Sequence, residues 1–204
     1  MKLLHLSDLH IGKSLGNFSF LEDQKYVLDQ ILEVIEDRKV EAVMIAGDIF
    51  DTAVASAEAL DLYNYFIEKI IFDIKIPVLA ISGNHDSAKR LDVNKRFYKT
   101  NKYYLAGEYT KEVVTLEDRD GPIHFYLLPF MSLAKGRLVF DKDLKDFSEL
   151  YRLALKDYDY RDRNVLITHC YATKIGESLE KNYNEGQKPL TIGGSDLMDA
   201  SIFM

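Results

Sequence analysis

Three short apolar runs in the first half of the chain, residues 2–6, 42–46 and 78–81, each stop at a cluster of carboxylate, amide and imidazole side chains. The runs are Leu-rich or β-branched, the composition of strands buried on both faces. The clusters are Ser7-Asp8-Leu9-His10, Gly47-Asp48-Ile49-Phe50-Asp51 and Gly83-Asn84-His85-Asp86. This repeated order constrains the fold more than any other feature. Strands of this kind belong inside a sheet, and in open α/β sheets the residues just past the carboxyl ends of the strands share one crevice. Residues far apart in sequence are therefore expected to meet.

The chemistry of the clusters favours a metal over a proton relay. Asp8 and His10, two residues apart past a strand end, can turn both side chains toward one ion, Asp48 can bridge it to a second, and Asn84 adds a neutral oxygen. Mixed carboxylate, amide and imidazole ligands suit Mn²⁺, Zn²⁺ or Fe²⁺, and the lack of thiolates argues against a structural zinc site of the Cys type. Two such ions, about 3.5–4 Å apart, clamp the attacking and leaving oxygens of a phosphoryl displacement, so a phosphoester substrate is expected. The plainer alternative makes these residues turn and cap formers, with His169 a satisfied core histidine. Three clusters in the same position relative to three strands weigh against it.

The pattern D-x-H at 8–10, G-D-x-x-D at 47–51, G-N-H-D at 83–86 and a later lone His169, itself following the apolar run 165–168, resembles the calcineurin-like metallophosphoesterases. The surrounding residues narrow the likeness: Leu6 to Lys13, Gly47 to Thr52, Gly83 to Ser87 with Arg90-Leu91, and Ile192-Gly193-Gly194-Ser195 look like the nuclease subunits of bacterial double-strand-break complexes. That resemblance implies a layered α/β/β/α sandwich and a two-metal, Mn²⁺-dependent DNA nuclease with 3′–5′ exonuclease and endonuclease action. It makes Asp8, His10 and Asp48 ligands of one ion and Asp48, Asn84 and His169 ligands of the other. His85 would act beside the scissile phosphate as proton donor or charge stabiliser, and Asp51 and Asp86 would orient the groups that touch metal. It also implies DNA and an ATPase subunit as partners, the ATPase docking beyond this chain, and a homodimer through helices near 56–72 and 89–99.

One block departs from the pattern. The family supplies a further imidazole to each ion from a C-terminal G-H-x-H, and no such motif occurs in these residues, the last His being His169. The expectation is a chain cut short of that motif, its fold lacking the last C-terminal elements, with weak metal binding and poor catalysis. A phosphodiesterase acting on small nucleotides and an inert, dimerising DNA-binding scaffold are the alternatives.

With 204 residues, 47% of them hydrophobic, the chain can bury one good core, and one domain spanning 1–204 is expected. No apolar stretch nears the roughly 20 residues of a membrane span, and the first residues enter a strand directly, so neither membrane insertion nor a signal peptide is expected. The single cysteine, Cys170, fits a reducing cytoplasm and a small packing role. A net charge of −7 runs against DNA binding, but residues 87–102 hold six basic side chains against Asp92 alone. Lys13, Lys89 and Arg90 are the nearest candidates for phosphate contact, with Lys135, Arg137 and Lys174 weaker ones. A solvated helix face explains the same charges, and the 13 Tyr are too scattered to mark base stacking.

Helical spacing predicts a helix over 22–38 with Val27, Ile31, Val34 and Ile35 as its apolar stripe. Residues 56–72 carry two stripes, Leu60, Tyr63, Ile67 and Ile70, and Leu62, Tyr65, Phe66 and Phe72. Both faces of that helix want cover. Residues 113–116 and 123–128 read as a hairpin around Gly121-Pro122, Leu144, Phe147, Tyr151 and Ala154 as another amphipathic helix, and 171–190 as a polar loop over the site. His5 and His124, inside strand runs, read as structural.

Overall fold

A computed structural model of the chain describes residues 1–159, 161–173 and 198–199. They fall into two compact units, Met1–Phe130 with Tyr160–His169, and Met131–Asp159 with Cys170–Met204. In chain order the first unit contains β1 (Leu3–Leu6), β2 (Ser14–Leu15), β3 (Phe18–Ser19), α1 (Leu21–Asp37), β4 (Ala42–Ala46), α2 (Ala57–Glu68), β5 (Val78–Ile81), α3 (Ala88–Leu91), α4 (Lys95–Thr100), β6 (Tyr103–Ala106), β7 (Val113–Asp118), β8 (Gly121–Leu128) and β9 (Asn164–Thr168).

The three expected strands form, and with β6 they make a parallel sheet in the order β1-β4-β5-β6. Each step along the chain moves one place in the same direction, so crossovers of uniform hand leave their helices on a single face. The period-two alternation within the strands shows this. Val43, Ile45, Val78 and Ala80 pack with Leu28, Leu32 and Ile35 of α1 and Leu62 and Phe66 of α2. The alternate residues Ala42, Ala46, Leu79, Ile81 and Ala106 pack instead with Val114, Ile123, Phe125, Leu127 and Ile167. These last five belong to a second sheet, β7-β8-β9, antiparallel at its first pairing and parallel at its second. Ala at 42, 46 and 106 leaves room for Phe125, which is fully buried. Truncating that ring to Ala would cost about 3–5 kcal/mol. Helices, parallel sheet and second sheet are three layers of the expected sandwich.

Three local expectations change. The buried stripe of α1 is Leu28, Leu32 and Ile35, whereas Val27 and Val34 are exposed; two sets at helical spacing overlap in this sequence, and packing selects the one richer in Leu. On α2, capped by Ser56 Oγ accepting from the Ala59 amide, the buried set is Ala59, Leu62, Tyr63, Phe66 and Ile67, while Leu60 lies outside it. The helix continues as a π-helical turn, Lys69–Ile74, closed by Lys75 at φ 67°, which buries Ile70 and leaves Phe72 exposed. The β7–β8 hairpin turns at Arg119-Asp120, with Gly121 at φ 104° and Pro122 already paired with Glu117.

In the second unit, α5 (Leu133–Phe140) and α6 (Phe147–Leu155) pack together, and β10 (Ala172–Thr173) pairs in parallel with β11 (Met198–Asp199). Ser132 and Asp146 cap the two helices. The expected residues Leu144, Phe147, Tyr151 and Ala154 are all buried. Helix α5 was not expected from the residue pattern. A Cβ on its Gly136 would fall 2.4 Å from Leu150 Cδ1, so glycine permits the close approach of the pair. Lys174, most of the expected 171–190 loop and residues 192–195 lie outside the described residues. No helix among the described residues is long and apolar enough to cross a membrane.

Candidate metal centre

Parallel pairing in register brings the ends of β1, β4 and β5 to one level: Leu6 pairs with Ile45, and Ala46 with Ile81. Each strand then gives way to its cluster. The Asp8 amide donates to the Gly47 carbonyl (3.1 Å), the His10 amide to the Asp48 carbonyl (3.0 Å) and the Ile11 amide to the Ile49 carbonyl (2.9 Å), so the first two loops run side by side. Asp8, His10 and Asp48 hold φ values of 56°, 43° and 49°. This left-handed backbone costs an L-residue with a Cβ about 1–2 kcal/mol, and such strain collects where function over-determines geometry. β9 ends alongside, delivering His169 from the second sheet.

Asp48 is the hub. It is 3% exposed, its Oδ1 accepts from the His85 amide at 2.9 Å, and its Oδ2 lies 3.6 Å from His169 Nε2, 3.8 Å from His10 Nε2 and 4.0 Å from His85 Nε2. Burial pushes its carboxyl up, but the facing His169 and the His85 amide outweigh burial and hold it below the usual value. For His169, burial works downward, yet Asp48 and the Ala46 carbonyl bring its pKa above the ordinary one. Two sets of three ligand atoms lie close enough to share an ion, His10–Asp48–His85 and Asp8–Asp48–His169. Asn84 Oδ1 stands 3.1 Å from His169 Nε2, which joins it to the second set. All six expected residues thus meet, although His85 lies with His10 and Asp8 with His169, a closer mixing than the sequence pattern suggests.

The ring nitrogens are sorted by their outer partners. His169 Nδ1 is 2.8 Å from the Ala46 carbonyl and His85 Nδ1 is 3.0 Å from the Asp51 carbonyl. A carbonyl only accepts, so Nδ1 carries the proton in both and Nε2 is left to face the crevice. His10 Nδ1 is buried without a hydrogen bond, 3.3 Å from Asp51 Oδ1 but off hydrogen-bond geometry, while its Nε2 points between Asp8 and Asp48. An imidazole nitrogen facing two carboxylates, one of them the buried Asp48, fits a divalent cation. Asp86 does not face the crevice: its carboxylate accepts from the amides of Ile49 (3.1 Å), Phe50 (2.9 Å) and Gly83 (2.8 Å), pinning the second loop to the third. Burial nevertheless lifts its pKa, against the opposing effect of those amides.

Gly47 and Gly83 belong to the patterns read in the sequence, but the reason for glycine there, and the part played by Gln24, emerge only from the structure. A Cβ on Gly47 would lie 2.6 Å from His169 Nδ1, and one on Gly83 would lie 2.1 Å from Asp48 Oδ1. Both positions are glycine because the His169 ring and the Asp48 carboxylate occupy the space. Gln24 of α1 reaches the first loop, its Nε2 donating to the carbonyls of His10 (2.7 Å) and Leu9 (3.2 Å) and its Oε1 accepting from the Gly12 amide (2.9 Å). Of the basic candidates, Lys13, Lys89 and Arg90 are exposed and make no ion pair among the described residues. Lys95 pairs with Asp92 and Lys99 with Glu112, and Arg137 is committed to the Leu144 carbonyl at 2.6 Å.

A crevice at four strand ends, lined by carboxylates, imidazoles and one amide around a buried Asp, defines a metal-dependent phosphoesterase. The chain belongs to the calcineurin-like phosphoesterase family, whose model matches residues 1–192 and so runs through both units. It is also similar to SbcD, the D component of the nuclease SbcCD, from Staphylococcus epidermidis (strain ATCC 12228 / FDA PCI 1200), 32% identical over 213 residues that cover 100% of this chain and 54% of that protein. The chain therefore spans about half the length of this relative.

Proposed function

We propose that residues 1–204 form one phosphoesterase domain carrying the centre of a DNA nuclease of the SbcD type, dependent on two divalent ions and on Mn²⁺ in particular. It would serve in the cytoplasm in the repair, recombination and replication of DNA, processing double-strand breaks and hairpins by 3′–5′ exonuclease and endonuclease action. The observation that carries this reading is the convergence of Asp8, His10, Asn84, His85 and His169 on the buried Asp48. Asp8, His10 and Asp48 would hold one ion, and Asp48, Asn84 and His169 the other. Bound there, the ions supply a hydroxide nucleophile near neutral pH and neutralise charge at the phosphoryl oxygens. Asp51 does two jobs in this arrangement, its carboxylate facing His10 and its carbonyl fixing the His85 ring. His85, the most exposed of the three imidazoles, keeps Nε2 open to the crevice, and with that nitrogen protonated as well as Nδ1 it would give a proton to the leaving oxygen.

Lys13, Lys89 and Arg90 support a polyanionic substrate, DNA, over a small nucleotide. A groove of about 390 Å³ between α2 with its π-helical turn and α3–α4, bordered by exposed Leu60, Phe72 and Phe97, supports a homodimer through these helices. An SbcC-type ATPase is the partner the similarity suggests. The test is calorimetric titration of Mn²⁺ into the chain beside Asp48→Ala, with cleavage of linear duplex DNA in parallel. Two weakly held ions and slow cleavage are expected in the parent, the G-H-x-H imidazoles being absent from these residues, and in the variant a loss of binding and cleavage larger than the roughly 10–100-fold typical of outer-sphere changes. Cleavage unaffected by Asp48→Ala would overturn the reading. Hydrolysis of cyclic nucleotides without DNA cleavage would move it to a small-nucleotide phosphodiesterase.

A further inference from the structure

We propose that Gln24 is a positioning residue for the metal centre, its side-chain amide locking the loop that aims His10. The inference rests on the metal reading of the site given above. The three imidazoles of the crevice are held differently. His85 and His169 each have Nδ1 anchored to a backbone carbonyl, so their rings are oriented by their own hydrogen bonds. The Nδ1 of His10 is buried and has no hydrogen bond. The Asp51 carboxylate at 3.3 Å and the His85 ring edge flank His10 without a hydrogen bond to Nδ1, so its aim depends more on its backbone, which sits at φ 43°, a conformation which side chains with a Cβ adopt only when the surroundings hold them there.

The surroundings act from two sides. On one, the amides of His10 and Ile11 bond to the carbonyls of Asp48 and Ile49. On the other stands Gln24, half-buried in the first turns of α1, whose own amide is fixed to the Phe20 carbonyl at 2.8 Å. Its carboxamide spans the loop, with both donor contacts on Leu9 and His10 and its acceptor on Gly12, so three backbone groups within four residues are satisfied by one side chain. Few replacements meet those demands. Asn is one methylene too short, Glu would aim a carboxylate at two carbonyl oxygens, and Met fills the volume with no polar atom able to hold the loop.

The consequence is selective. Gln24 bonds the loop at Leu9, His10 and Gly12 and makes no hydrogen bond to Asn84 or His169; the loop's one approach to His169 is through Asp8, so the ion held by His10 should feel the change most. Mn²⁺ titration followed by electron paramagnetic resonance, run on the parent chain, Gln24→Met and Gln24→Glu, reads the two ions separately. Both variants should weaken one ion by about 10–100-fold, the size usual for partners that orient a ligand, and leave the other within about twofold. In the metal-free proteins, hydrogen exchange at the Gly12 amide should speed up in Gln24→Met and stay slow in Gln24→Glu, which keeps an acceptor. Equal weakening of both ions with a fall in melting temperature would reduce Gln24 to a structural residue, and unchanged affinity would overturn the proposal outright. A parent chain that binds no Mn²⁺ would overturn the metal reading and this inference with it, a result distinct from failure in the variants alone.

Discussion

His10 shows how much of this site is a matter of single-residue backbone geometry. Its φ of 43° is natural for glycine and strained for alanine. His10→Gly and His10→Ala delete the same imidazole, so ligand loss cancels between them. The glycine variant should be the more stable by about 1 kcal/mol, the left-handed penalty less glycine's extra chain entropy. Paired urea melts of the two variants measure it, and an Ala variant as stable as the Gly one would mean that the loop relaxes out of the strained region. At this scale the sequence was unusually informative: Asp8, His10, Asp48, Asn84, His85 and His169 could be read because their types and strand-end positions carry the chemistry. Gln24 could not, and Gly47 and Gly83, read as parts of the G-D-x-x-D and G-N-H-D patterns, gave no sign of why glycine is required there. Each is needed by a group distant in sequence, such as the His169 ring against Gly47, and nothing local announces that approach.

Among the elements, the junction of β7 with β9 has a pH signature of its own. Arg163, just before β9, forks onto Asp118 at the end of β7, Nη1 to Oδ1 at 2.7 Å and Nη2 to Oδ2 at 2.9 Å. Arg163 first, with the Met1 amine, holds the Asp118 carboxyl far below its ordinary value of 3.8. A depressed carboxylate contributes stability that is complete above its unfolded pKa and declines as pH falls through that range toward the folded one. Asp118→Asn should therefore melt below the parent by a constant margin from about pH 6 to 8, and the margin should shrink from about pH 5 downward. A margin independent of pH in thermal melts from pH 3 to 7 would refute the pairing. The central strands β1, β4 and β5 were legible because burial on both faces leaves apolar runs, whereas β2, β3 and β6 were not read as strands. The faces of α1 and α2 were less so, since Val27 and Val34 compete with Leu28 and Leu32 at equivalent spacing. The π-helical turn at Lys69–Ile74 was invisible, because no residue type encodes one extra residue per turn.

For the whole molecule, the apolar groove beside α2 makes the assembly state testable without touching the metal centre. Phe72 and Phe97 are 56% and 72% exposed, far more than large aromatic side chains on a finished surface need to be. If the proposed dimer forms through this groove, Phe72→Glu with Phe97→Glu should lower the sedimentation coefficient from dimer to monomer in sedimentation velocity while leaving Mn²⁺ binding unchanged; a parent that already sediments as a monomer, or a variant that still sediments as a dimer, would overturn a dimer through this groove. The left-handed residues of the crevice have a bearing of a different kind, on how such a chain can evolve. Three of them at about 1–2 kcal/mol each take up a sizeable part of the 5–15 kcal/mol that separates a folded domain from its unfolded chain. Under selection for stability alone, Asp8, His10 and Asp48 would be among the first positions to drift to glycine. Their presence together in that region describes a crevice whose shape is held by its surroundings and not by the backbone preferences of its own residues.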